Sequence, residues 1–200
     1  MTVITVAGLG ENHQLAERAT LTAEIAIAHA DRTTSIRQGT RVHAQAAEEV
    51  VRLRSSGAAT WHSVDVLSTS ARIWTDKDGA KHRDHVTRGT VRVKMSRLTD
   101  VADVVATLST LGATVSTTWA LTEATRDAVT RRMRTVAVKD ARAKADDFAA
   151  ALGETVQRVV ALREEEGYVP QGGRGAAGAP ELTIPEITVR VTVKGDFETE

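Results

Sequence analysis

Val6-Ala7-Gly8-Leu9-Gly10 opens like a dinucleotide-binding fingerprint, in which glycines let the backbone approach a pyrophosphate at a helix N-terminus. The third glycine would fall at position 13, which is His13, and the residues beyond it alternate as a strand instead of opening a helix. A hairpin turn over 8–12 is therefore the expectation. Gly172-Gly173-Arg174-Gly175 lacks the Gly-Lys-Ser/Thr ending that holds phosphate and magnesium, and reads as a loop. His82-Arg83-Asp84 shares three letters with a kinase catalytic loop, but Gly89 stands where the metal-binding asparagine belongs. His82 and His85 have metal-ligand spacing, yet on a strand an i, i+3 pair points to opposite faces, and Lys81, Arg83 and Arg88 oppose a cation. Asp76, Asp78 and Gly79 hint at a calcium loop whose first and last ligands would have to be Trp74 and His85, neither a carboxylate. No Gly-x-Ser-x-Gly elbow and no isolated carboxylate pair is present. No catalytic residue, cofactor or metal is assigned on these grounds.

Charge is the remaining chemistry. Arg126, Arg131, Arg132, Arg134, Lys139, Arg142 and Lys144 crowd one helical segment, offset by Asp127, Asp140, Asp146 and Asp147. Signs that alternate along a helix describe a solvated face with i, i+4 pairs rather than a phosphate-binding stripe. Glu164-Glu165-Glu166 could complement that segment in a neighbouring subunit. Over 200 residues, 26 Lys plus Arg balance 26 Asp plus Glu, so no global field draws nucleic acid or an acidic membrane. Aromatics at 3% supply no stacking platform, and the absence of cysteine excludes disulfides, thiolate metal sites and thiol nucleophiles. No nucleic-acid or membrane partner is expected.

Two periods alternate along the chain and define the elements that hold these residues. Residues 2–8 and 15–30 read as strands, the second with Leu21, Ala23, Ile25 and Ile27 on one side. Asp31 caps a helix to about residue 54, with Ile36, Val42, Ala46, Val50 and Leu53 in a stripe, and Gly57 marks its stop. Residues 61–74 and 85–95 form a hairpin turning at Asp78-Gly79. A short helix over 98–111 ends at Gly112, and a strand comes next over 115–121. The longest helix spans about 125–152, unless a break near 135–138 divides it. Its inward set is Val129, Met133, Val136, Ala137, Ala141, Ala145, Phe148, Ala149 and Leu152. Strands at 155–163 and 186–197 close the chain around a glycine-rich loop at about 167–180. The order ββαββαβαββ describes one α+β domain over residues 1–200: an antiparallel-rich sheet with helices on one face.

At the second half the pattern becomes specific. Ala137-Val138-Lys139-Asp140-Ala141-Arg142-Ala143-Lys144-Ala145, then Phe148-Ala149 and Leu152-Gly153, resembles the alanine-rich helix of SIMPL-domain proteins. Gly57 followed by Val64-Asp65-Val66 and Ser68-Thr69 resembles that family's helix stop and long hairpin strand, and Ile184-Pro185-Glu186-Ile187-Thr188-Val189 its entry to the last strand. The resemblance implies no catalytic chemistry; it implies protein interaction and an association with stress tolerance. Many bacterial relatives carry a signal peptide and reside in the periplasm. Here residues 1–8 hold no basic residue and no long apolar core, so a cytoplasmic location is expected.

The leading expectation is a non-enzymatic, self-associating interaction module, a homo-oligomer whose outside partner is unspecified. Its candidate surface comprises Arg131, Arg134 and Arg142 on the long helix and Val189 and Val191 on the last strand. The rival is a small-ligand or nucleotide binder with the 167–180 loop as a lid, and an uncharacterised hydrolase is third.

Overall fold

The computed structural model describes residues 2–165 and 183–200. In chain order the elements are β1 (Val3–Leu15), β2 (Arg18–His29), α1 (Arg32–Ser55), β3 (Ala59–Val64), β4 (Ser68–Thr75), β5 (Lys81–Met95), α2 (Val101–Thr110), β6 (Thr114–Ala120), α3 (Glu123–Leu152), β7 (Val156–Glu165) and β8 (Glu186–Thr199). Among the described residues every strand pair is antiparallel, so the class is α+β, with one strand more than the sequence pattern indicated. The described residues group into two compact units, one of 2–16, 121–165 and 185–200 and one of 17–120 and 183–184. The glycine-rich segment at 167–180, with the lid assigned to it, lies outside the described residues.

In the first unit, β8 runs between β1 and β7, and α3 lies across β1 and β8. β1 is one unbroken strand paired with β8 from Val3 opposite Glu198 to Leu15 opposite Glu186. The expected hairpin turn at 8–12 is therefore absent: Gly8 and Gly10 sit mid-strand. Their role is steric. A Cβ on Gly8 would stand 2.0 Å from the Ala137 carbonyl oxygen, and one on Gly10 would stand 2.2 Å from that of Met133. The helix answers with a stripe of alanines at 137, 141, 145 and 149, all buried, so backbone approaches backbone. Ile4, Phe197, Val6 and Val156 complete that core around Ala141, Ala145 and Ala149. Thr122 caps α3 by accepting the amide of Thr125, Gly153 closes it in the left-handed region at φ 76°, and the 30 residues between run without a break.

In the second unit the order is β3-β5-β2-β6, with β4 also on β5 past the end of β3. The stretch 61–74 is thus two strands, parted at 65–67, that share one long partner. Ala19, Leu21, Ala23 and Ile25 of β2 and Val91, Val93 and Met95 of β5 alternate inward beneath α1 and α2. Asp31 caps α1 through the Thr34 amide, 2.8 Å away. The buried stripe of α1 is Ser35, Gly39, Val42, Ala46, Val50 and Leu53; Ile36, expected inside, is exposed. Small residues are required there, because a Cβ on Gly39 would lie 2.6 Å from Cγ2 of Thr87.

That crossing contains a hydroxyl chain whose direction can be worked out. Ser35 Oγ donates its one hydrogen to the Ile27 carbonyl (2.9 Å), so Thr87 donates to Ser35 (2.9 Å) and Thr69 donates to Thr87 (2.9 Å). Thr87→Val keeps the shape and leaves the Ser35 lone pair and the Thr69 hydroxyl without these partners. The expected cost is about 1–2 kcal/mol, read as a lower urea midpoint at unchanged m-value. An unchanged midpoint would show the chain to be energetically idle.

Candidate interaction surface

The charged cluster at the β4–β5 turn is consumed locally. Asp76 Oδ1 accepts the amides of Asp78 (3.0 Å) and Ala80 (2.8 Å), while Oδ2 meets His82 Nε2 at 2.7 Å. That histidine bond, then the amides, hold the Asp76 carboxyl below its usual range. Asp84 accepts from Trp74 Nε1 (2.7 Å) and Arg72 (3.2 Å), and Trp74 stacks on His82 with ring centroids 4.4 Å apart. These contacts tie together the end of a two-stranded ribbon, which would be marginal alone. Among the described residues no group of three His, Asp or Glu side chains converges as metal ligands.

The five candidate surface residues separate into three situations. Val189 and Val191 are 6% and 4% exposed, on the inward face of β8 with Val193 and Phe197, so they are core residues of the chain itself. Strict alternation on a half-buried strand places them there, and the assignment to a surface is corrected. Arg134 is exposed and Arg142 half-buried, and both are engaged across the gap to β7. Arg134 forms a forked pair with Glu164 (2.9 and 3.2 Å), which raises its pKa first through the hydrogen bond and then through charge. Arg142 pairs with Asp146 and donates to the Val156 carbonyl at 3.0 Å. The acidic complement read into a neighbouring subunit is thus met within the chain, at least by Glu164. Arg131 lies exposed on the outer side of α3, donating to the Asp127 carbonyl in its own helix at 3.4 Å.

The opposite flank of α3 holds what the periodicity did not reveal. Val136, Asp140, Lys144, Phe148 and Leu152 succeed one another at steps of four, forming a single row. Its central pair lies on the edge of β1 that is left unpaired among the described residues. Asp140 Oδ2 accepts the Leu9 amide at 2.8 Å, and Lys144 Nζ donates to the Ala7 carbonyl at 3.0 Å and to Asp140 at 2.7 Å. Lys144 first, then the Leu9 amide, hold the Asp140 carboxyl below its usual range. An acceptor for N–H and a donor for C=O are what an added strand would offer, so this pair occupies part of an edge that could otherwise recruit one. On either side of the pair the row is apolar and exposed: Val136 is 44% exposed, Phe148 57% and Leu152 60%. All three were expected inward, because the sequence shows a helix of period 3.6 while the buried stripe here takes every fourth residue across a twisted sheet.

A family profile described as SIMPL, protein of unknown function (DUF541), matches residues 4–197. The chain belongs to the SIMPL family. The match reaches into both compact units and every described strand, so the alanine-rich helix and its glycine-bearing partner strand are parts of one SIMPL sequence. No curated protein matches this SIMPL chain. Among the described residues no helix is long and apolar enough to cross a membrane.

Proposed function

We propose that this SIMPL chain acts as a self-associating interaction module rather than as an enzyme. The observation that carries the reading is the α3 flank: three large apolar side chains exposed on a rigid, capped helix, beside a sheet edge whose backbone is partly taken up. Apolar groups grouped on a surface in this way mark contact sites. The helix is tied on its other side by Arg134 and Arg142, which supports a flank presented on ordered backbone. A setting in stress tolerance belongs to the same proposal and rests on the family resemblance alone.

Absolute mass by light scattering behind size exclusion, at two protein concentrations, tests the reading. The expected result is a species at a multiple of 21.4 kDa. A 21.4 kDa monomer at both concentrations overturns it.

A further inference from the structure

Resting on the self-association reading, we propose that two copies dock through the α3 row in a two-fold, antiparallel arrangement. From N- to C-terminus the row reads apolar Val136, acidic Asp140, basic Lys144, apolar Phe148. Turned end for end, it presents its own complement. Val136 of one copy meets Phe148 of the other, and Asp140 meets Lys144, each contact made twice, as a two-fold interface requires. A parallel arrangement in register would instead place Asp140 against Asp140 and Lys144 against Lys144. Charge order along the row therefore selects both the occupant, a second copy of this chain, and its direction.

The groups retain the capacity for such contacts. Both bonds to Asp140 fall on Oδ2, which leaves Oδ1 for a donor from the other copy. Lys144 has three N–H groups and uses two, on Ala7 and Asp140. Continuing the reversal, Leu152 falls opposite Arg132, whose aliphatic stem can cover an apolar side chain while its head stays in water. Rows at i, i+4 are the ridges that interdigitate when helices pack. Strand addition at this edge is disfavoured because the Leu9 amide and Ala7 carbonyl are already bonded, so the contact is helix to helix.

Because the chain has no cysteine, two single variants report the geometry directly. Val136→Cys and Phe148→Cys are purified reduced, then oxidised gently apart and mixed. In the antiparallel arrangement positions 136 and 148 of different copies lie within disulfide reach, whereas like positions are separated by about 18 Å along the axis. The expected result is a disulfide-linked dimer in the mixture and none in either variant alone. Linkage in either single-variant sample, or none in the mixture, overturns the arrangement. Phe148→Glu, at a site exposed in the single chain, is expected to retain the wild-type unfolding midpoint and weaken association at least tenfold in concentration-dependent scattering. Undiminished assembly of Phe148→Glu overturns the α3 row while leaving self-association in place; a wild-type protein that is monomeric throughout overturns both.

Discussion

Gly8→Val is expected to remove cooperative folding of the three-stranded unit. The position looks permissive, since it lies in ordinary extended backbone and its only demand is space. Yet the atoms that a Cβ would meet are the Ala137 carbonyl at 2.0 Å, the Ala141 amide nitrogen at 2.5 Å and the Ala141 methyl at 2.7 Å. Two of the three are helix backbone, which cannot rotate away as a side-chain end could. Relief would require α3 to lift from the sheet, and lifting it exposes the core of Ile4, Ala145, Ala149 and Phe197. Overpacking in cores costs about 1–3 kcal/mol where side chains can yield. With backbone as the obstacle, the expected loss is above about 3 kcal/mol, a large share of a domain's stability. Circular dichroism through a urea series checks this. Leu9→Val, on the outward face one residue away, should move the midpoint by no more than about 0.5 kcal/mol equivalent. If Gly8→Val unfolded at the wild-type midpoint, the close approach of α3 to β1 would be absent in solution.

That glycine pair also shows where the sequence is legible and where it is not. The α+β class, the cap at Asp31 and the stops at Gly57, Gly112 and Gly153 arise from local chemistry, and each is found in place. Gly8 and Gly10 were readable only as turn residues because their reason lies about 130 residues away, in the carbonyls of α3. Strand partners are equally non-local: β1 pairs with β8, at the far end of the chain, rather than with its neighbour β2. On α3 the element was evident, but which of its faces is buried depends on the angle at which it crosses the sheet. The alanines at four-residue spacing carried that signal. Tracking them alone, rather than every apolar residue, would have left Val136, Phe148 and Leu152 outside. Arg134 and Arg142 could be seen as charges but not as braces, because their partners Glu164 and the Val156 carbonyl are contributed by β7.

Val191→Lys is expected to unfold the same unit, and the reason decides how an interaction surface on this chain must be probed. Val191 is inward on β8 and sits opposite Gly10, which itself has no room for a methyl group. A lysine there cannot extend its ammonium to water along the strand face, since Val189 and Val193 flank it on the same buried side. The charge would be buried without a partner, or neutralised at a comparable cost, and the expected loss is about 3–5 kcal/mol. Val191→Ala removes two methyl groups without adding charge and should cost about 1–2 kcal/mol with folding retained. Thermal unfolding monitored by far-UV circular dichroism separates the two, and a wild-type transition in the lysine variant would show that β8 is not covered. Loss of assembly in Val191→Lys would stem from loss of the fold, and so carries no information about where copies touch. Phe148→Glu differs in kind: its side chain already meets water in the single chain, so any loss of assembly there must come from the contact itself.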